Sequence, residues 1–129
     1  MRQTLNAIYR RAAEEFARRV TSCLGGQVDS IVLYGSVARG DTKRASDVDV
    51  LVISPDPAAV KDRISAIRSD LSYESNFAFF ISLVQLSRAE LLELVRLGSP
   101  FAWDIVREAI GLYDNGTFSR IRRQALAAS

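Results

Sequence analysis

The stretch that decides the fold spans residues 34–53 and reads YGSVARGDTKRASDVDVLVI. A β-branched segment, residues 28–34, leads into it, and an apolar run over residues 48–53 ends it. Short runs of this kind are typical of strands that are covered on both faces. Gly35 and Ser36 directly follow the first run, where glycine permits a close approach and a helical turn can begin. The stretch therefore predicts a strand, a helical turn and a second strand.

Two aspartates, Asp47 and Asp49, stand at the start of the second predicted strand. Successive side chains of a strand point to opposite faces, so both carboxylates emerge on one face with their Cα atoms roughly 6.5–7 Å apart. No basic residue lies between them, and a divalent cation would best relieve their repulsion. Oxygen ligands suit Mg²⁺ or Mn²⁺, which bind one or two carboxylates together with the phosphates of a nucleotide. Asp47 and Asp49 are therefore predicted metal ligands.

Three further residues of the stretch are candidates for binding phosphate. Gly35 and Ser36 begin the predicted helical turn, whose free backbone N–H groups can bind an anion. The hydroxyl of Ser36 and the guanidinium of Arg39 add further donors. Phosphate at the turn and metal at the two aspartates would together bind a nucleoside triphosphate.

The rest of the chain predicts helices around a small sheet. Apolar residues at steps of three and four indicate a helix from Leu5 to the Gly25-Gly26 pair, and a third strand is expected over residues 77–86. Further helices are expected after Asp56, after the capping pair Ser87 and Glu90, from Pro100 and from Thr117, with a short edge strand near residues 110–114. This order favours an α/β or α+β layer, a mixed sheet flanked by helices, in a single domain over residues 1–129.

Composition excludes several kinds of chemistry. The chain has no histidine, which removes Ser-His-Asp and Cys-His nucleophiles and histidine zinc sites. Its one cysteine, Cys23, is expected in the core and cannot form an intrachain disulfide, which fits a reducing cytoplasm. A net charge of +2 gives no support for nucleic acid as a partner, and no apolar run approaches the length of a membrane span.

The residues of the opening stretch resemble a known family. Gly35-Ser36, ten intervening residues and Asp47-Val48-Asp49 are similar to the signature of the nucleotidyltransferase superfamily that includes DNA polymerase beta. The fuller string, from Gly35 to Gly40 and from Ser46 to Val52, resembles its small prokaryotic branch, the minimal nucleotidyltransferases. The resemblance implies the polymerase-beta-like fold, with an antiparallel-leaning mixed sheet.

The resemblance also implies a reaction and a set of roles. A hydroxyl would attack the α-phosphorus of a nucleoside triphosphate, with ATP as the expected donor, and pyrophosphate would leave. Asp47 and Asp49 would be catalytic through two bound metals, and Gly35 and Ser36 would hold the β- and γ-phosphates. Members of the minimal branch are often paired with a HEPN-type protein, some as toxin–antitoxin systems in which the toxin is adenylylated. A HEPN-type partner is therefore expected, and the oligomeric state stays open.

The family pattern is incomplete in one place. Active members usually add a third carboxylate from a later strand, but the predicted third strand, NFAFFISLVQL, contains no acid. Ser82 is the hydroxyl at the middle of this strand and the candidate for the third position, and Glu74 is the nearest acid. The sequence therefore predicts an enzyme whose transfer is slow or depends on a partner. The alternative is a non-catalytic nucleotide- or partner-binding module of the same fold.

Other interpretations of the motif fit less well. Gly35 and Gly40 have the separation of a phosphate-binding P-loop, but Asp41 stands where that loop needs its lysine. The aspartates also resemble the nucleophile motif of haloacid-dehalogenase phosphatases, which ends a hydrophobic strand, whereas Asp47 and Asp49 begin one. A purely structural role for the glycine, the serine and the aspartates is the remaining alternative.

Overall fold

The computed structural model of the protein describes residues 4–44 and 46–128. The strands are β1 (Ser30–Tyr34), β2 (Val48–Ile53), β3 (Ile81–Leu86) and β4 (Ile110–Asp114). The helices are α1 (Leu5–Leu24), α2 (Gly35–Arg39), α3 (Pro57–Glu74), α4 (Arg88–Arg96), α5 (Pro100–Glu108) and α6 (Thr117–Ala128), with a 3₁₀ turn at Gly25–Gln27. The order of elements follows the sequence prediction.

The four strands form one mixed sheet in the order β3-β2-β1-β4. Strand β1 pairs antiparallel with both β2 and β4, and β2 pairs parallel with β3. The parallel pair is joined through α3, because a parallel connection needs a long crossover. The predicted mixed sheet flanked by helices is therefore confirmed, and β4 lies at an edge as expected.

The sheet separates two apolar cores. Alternate residues of β1 and β2 pack with α1 and α3 on one face: Ile31, Leu33, Val48, Val50 and Val52, against Phe16, Val20 and Ile64. The other face packs with α4, α5 and α6: Val32, Leu51 and Ile53, against Leu91, Ile105 and Phe118. Because strand side chains alternate, Asp49 belongs to the face that Leu51 and Ile53 share.

Local capping explains where most helices begin. Thr4 accepts a hydrogen bond from the Ala7 N–H at 3.1 Å at the start of α1. The predicted capping box of α4 is confirmed: the Glu90 N–H donates to Ser87 Oγ at 3.1 Å, and the Ser87 N–H donates to Glu90 Oε1 at 2.9 Å. Asp56 holds the N-cap position of α3 without a side-chain hydrogen bond to the helix.

Three details of the sequence prediction differ from the structure. Strand β1 begins at Ser30 rather than at residue 28, and β3 begins at Ile81 rather than at residue 77. The second difference has a backbone cause, because Phe77 has φ +57°, which a strand cannot contain. Cys23 is exposed and not in the core, since it lies on the outer side of α1.

Within the described residues, no helix combines the length and apolar character that crossing a membrane requires.

Candidate active site

Strand register sets three polar side chains in a row across the sheet. Asp49 on β2 is the Cα partner of Tyr34 on β1 and of Ser82 on β3. Directly paired residues of neighbouring strands share a face, so the three side chains lie side by side on the α4–α6 face. Asp47 lies one residue before β2 and is exposed. The site is therefore centred on Asp49, at the end of β2 where the chain enters the sheet.

Gly35, the first residue of α2, touches the Asp49 carboxylate. Its φ is +76°, and a Cβ added there would lie 2.2 Å from Asp49 Oδ2. An alanine would therefore meet both a strained backbone and a steric clash. The close approach of backbone and carboxylate exists because position 35 has no side chain.

The short helix α2 is held by its ends and by one buried residue. Val37 is fully buried, and Gly40 ends the helix in the left-handed region with φ +82°. Ser36 is half-buried and lies in the first turn, beside Gly35. The structure thus brings Gly35, one of the predicted phosphate-binding pair, directly to the predicted metal ligand Asp49, and Ser36 follows it in the chain.

The electrostatics of Asp49 fit a bound cation. Burial raises the pKa of the Asp49 carboxyl, the charge of Asp47 raises it further, and Arg39 acts in the opposite direction. The two negative charges repel each other, and a divalent cation bound between the carboxylates would neutralise them. Mg²⁺ commonly binds one or two carboxylates together with substrate phosphates. The residues present therefore fit Mg²⁺ or Mn²⁺.

Arg39 sits at the border of the site in a small ion-pair group. Its guanidinium lies 3.5 Å from Asp41 Oδ2 and donates to Glu108 Oε2 at 3.2 Å, and about half of its side chain is exposed. These carboxylates raise the pKa of the Arg39 guanidinium, so it stays charged. A phosphate would have to compete with Asp41 and Glu108 for this side chain.

The third carboxylate is missing from the described site. Among residues 4–44 and 46–128, no group of three or more acidic, histidine or cysteine side chains could hold a metal ion. Ser82 occupies the position on β3 directly beside Asp49. Both terminal nitrogens of Arg19 donate to the Glu74 carboxylate at 2.7 Å, so Glu74 is paired with α1 and does not complete the site. The candidate third position is thus a hydroxyl.

Two residues near the site were missed by sequence reasoning. Tyr34 is half-buried beside Asp49, and its ring packs edge-on against Phe101 of α5 with centroids 5.7 Å apart. Burial, with a smaller effect of Asp49, raises the pKa of Tyr34 to about 12. Glu108 pairs with Arg39 across 69 positions of sequence. Only the pairing of β1 with β2 and the placement of α5 reveal them; no local motif signals either residue.

The match to a known family is extensive. The model of the nucleotidyltransferase domain family matches residues 10–122. The chain belongs to this family and is a nucleotidyltransferase.

Relatives and solved structures agree with this assignment. A Methanocaldococcus jannaschii protein, MJ0141, whose name proposes protein adenylyltransferase activity, is 32% identical over 69 residues, which cover 54% of this chain and 70% of that protein. The structure is similar to a toxin–antitoxin complex with AMP-PNP, with a TM-score of 0.57 and 16% identity over 89% of this chain and 85% of that chain.

A second complex shares the fold. It contains a tri-AMPylated HEPN toxin from Shewanella oneidensis with its MNT antitoxin, and it gives a TM-score of 0.54 and 14% identity over 93% of this chain and 85% of that chain. At these identities the likeness shows a common fold. The family match confirms the predicted nucleotidyltransferase resemblance, and the MNT antitoxin of this complex shares the fold of the present chain.

Proposed function

We propose that this protein transfers AMP from ATP to a hydroxyl group of a protein, with Mg²⁺ or Mn²⁺ as its cofactor. The observation that supports the proposal is the contact between Gly35 and Asp49, which joins the predicted phosphate-binding turn to one of the two predicted metal ligands. Phosphate donors and metal-binding oxygens at one point are what a nucleoside triphosphate requires.

Each residue has a definite task in this reaction. Gly35 and Ser36 bind the β- and γ-phosphates, and Arg39 adds a positive charge at the border of the site. Asp47 and Asp49 hold the cation, which neutralises phosphate charge when bound. In this proposal the α-phosphorus lies next to β2 and the pyrophosphate lies over α2.

The chemical step is a displacement at the α-phosphorus. The acceptor oxygen forms a bond to phosphorus while the bond to the bridging oxygen of the β-phosphate breaks, and pyrophosphate leaves with the electron pair. The acceptor proton passes to solvent or to a base. Because the hydroxyl of Ser82 is a poor base, this proton transfer is the weak part of the site, and a partner protein that supplies a carboxylate would accelerate it.

A HEPN-type protein is the acceptor and partner that we propose. The name of the archaeal relative supports transfer to protein, and the two similar structures are complexes of this fold in toxin–antitoxin pairs, one with an AMPylated HEPN toxin. In such a pair the present chain would be the antitoxin. We also propose that the activity is cytoplasmic. ATP and Mg²⁺ are available there, and the one cysteine, Cys23, would stay reduced.

The experiment follows the fate of two labels. The protein is incubated with Mg²⁺, a HEPN-type protein as the proposed acceptor, and ATP labelled at either the α- or the γ-phosphate. We expect the acceptor to gain the α-label alone, with one pyrophosphate released per label. Transfer of the γ-label would indicate a kinase instead. Nucleotide binding without pyrophosphate release would favour the non-catalytic module.

A further inference from the structure

Three exposed aromatic side chains lie within residues 73–80, at the end of α3 and in the segment that leads to β3. Tyr73, Phe77 and Phe80 have exposed fractions of 74%, 66% and 55%, and we call them the aromatic surface. The rings of Tyr73 and Phe77 meet edge-on with centroids 5.2 Å apart, and the Arg68 guanidinium lies 5.9 Å from the centre of the Phe80 ring. Exposed aromatic rings in a group are characteristic of binding surfaces.

Phe80, at one end of the aromatic surface, adjoins the carboxylate site. The N–H of Val48 donates to the carbonyl oxygen of Phe80 at 2.8 Å, and Val48 is the Cα partner of Ile81. Asp47 and Phe80 therefore precede two paired residues and enter the sheet side by side. Phe79 packs into the core beneath, which fixes this end of the segment.

The backbone holds Phe77 outward at a cost. Asn76 and Phe77 have φ of +56° and +57°, and the Phe77 N–H donates to the carbonyl of Ser72 at 2.8 Å. Asparagine adopts the left-handed conformation more readily than most residues, but this conformation is unfavourable for a bulky aromatic residue. The ring gains little burial in return, so folding alone does not account for phenylalanine at this position.

We propose that the aromatic surface binds the polypeptide that carries the acceptor hydroxyl. This inference rests on the transfer reaction proposed above and on the order of strands. Gly35 and Ser36 follow β1, Asp49 lies on β2, and Phe80 precedes β3. The attacking and leaving oxygens of phosphoryl transfer lie roughly in line on opposite sides of phosphorus. With pyrophosphate on the β1 side, the acceptor approaches from the β3 side.

The chemistry of the surface favours an apolar polypeptide over a nucleic acid. Aromatic rings can stack on nucleobases, but such sites also need a basic groove for the phosphates. Here the Arg68 guanidinium lies against the Phe80 ring, and Asp47 precedes Val48, whose N–H donates to the Phe80 carbonyl. One guanidinium next to a carboxylate does not form the basic groove that a polyanion needs, whereas leucine, valine or tyrosine side chains can pack on the rings.

The test compares the wild type with Phe77→Gly/Phe80→Ser. Glycine accepts the left-handed backbone at position 77, and both rings are exposed, so the variant keeps its fold. Leu97→Ala is the matched control, because Leu97 is 65% exposed and lies beyond the end of α4. Circular dichroism and thermal unfolding verify that the wild type and both variants are folded.

Four probes are titrated into each protein, with binding measured by fluorescence anisotropy or calorimetry. One peptide carries a central tyrosine between leucine and valine residues, and a second has serine and glycine at those positions. Decathymidylate represents a single-stranded nucleic acid. A non-hydrolysable ATP analogue with Mg²⁺ reports on the nucleotide site.

The wild type and Leu97→Ala should bind the apolar peptide at least about tenfold more tightly than the polar peptide or the oligonucleotide. Phe77→Gly/Phe80→Ser should lose about tenfold in affinity for the apolar peptide, with its affinity for the ATP analogue within about twofold of the wild type. Unchanged peptide affinity in the double variant would overturn the proposal. Preference for decathymidylate, or weakened binding of the ATP analogue instead, would assign the surface to another ligand.

The transfer reaction fails separately from this proposal. If the wild type does not bind the ATP analogue, or if Asp49→Asn binds it equally well, the nucleotide site is wrong whatever the peptides do. If the analogue binds as expected but the affinity for the apolar peptide is the same with and without the two rings, only the proposed acceptor surface is wrong.

Discussion

Gly35 lies so close to Asp49 that a Cβ at position 35 would be 2.2 Å from the Asp49 Oδ2 atom. We predict that Gly35→Ala lowers the rate of nucleotidyl transfer by about 10²-fold, because displacing reacting groups by an ångström has an effect of that order. The rate is measured as α-label transferred to the acceptor. Gly26→Ala is the control: no atom lies within 4 Å of its added Cβ, and its backbone is not left-handed. Equal rates in both variants would contradict a role for the contact.

Asp49→Asn should stabilise the fold while it abolishes transfer. The pKa of Asp49 is raised above its ordinary value of 3.8, so the folded protein holds the proton more tightly than the unfolded chain. Stability therefore falls as pH rises from 3.8 through the folded pKa, and the ionised carboxylate is destabilising at neutral pH. We expect Asp49→Asn to raise the Tm at pH 7 by about 2–4 °C without Mg²⁺.

The pH dependence of this effect is the diagnostic part. The gain in Tm should shrink as pH falls toward 3.8, where Asp49 of the wild type is itself protonated. Asp62→Asn, an exposed position of α3, is the control for loss of one negative charge. If Tm rises equally in Asp49→Asn and Asp62→Asn, or if the rise in Asp49→Asn does not change with pH, the burial of Asp49 would be contradicted.

Tyr34 should titrate late in an alkaline titration. Burial and the charge of Asp49 raise its pKa to about 12. The folded state thus keeps the phenol neutral, and this contribution to stability, complete below pH 10, is lost as pH rises toward 12. Absorbance of phenolate near 295 nm should lose its highest-pH component in Tyr34→Phe. In Asp49→Asn that component should move to lower pH. If Tyr34 titrates like a free tyrosine, its half-buried position beside Asp49 would be contradicted.

Ser82→Asp should restore the third carboxylate. Ser82 is the direct β3 partner of Asp49, so a carboxylate there would join Asp47 and Asp49 at one point. We expect tighter Mg²⁺ binding and transfer that is about 10²-fold faster, which is the lower end of what a positioned base commonly supplies. Ser82→Asn has the same shape without the charge and should give neither gain. Wild-type rates in Ser82→Asp would show that Ser82 does not occupy the third position.

The elements around the site could be predicted because their signals are local. Strand β2 has the predicted bounds, since paired aspartates open its apolar run and Pro55 and Pro57 follow its end. The turn after β1 is marked by Gly35, and the capping box by Ser87. Each of these signals acts within a few residues of sequence.

The remaining features depend on pairs of distant residues. Tyr34 joins the site because of the β1–β2 register, and register is set by the whole sheet. Glu108 reaches Arg39 through the packing of α5, which no motif encodes. The run from Phe77 has strand composition, but its backbone turns left-handed and leaves the ring exposed. Tertiary structure overrides local propensity at these positions.

The central claim is that Asp47 and Asp49 carry nucleotidyl transfer. The most direct measurement is the rate at which α-labelled ATP labels the proposed HEPN-type acceptor in the wild type, Asp47→Asn, Asp49→Asn and Asp62→Asn. We predict that the wild type and Asp62→Asn label the acceptor equally, and that the two site variants are at least about 10²-fold slower. Labelling by Asp49→Asn at the wild-type rate would contradict the account.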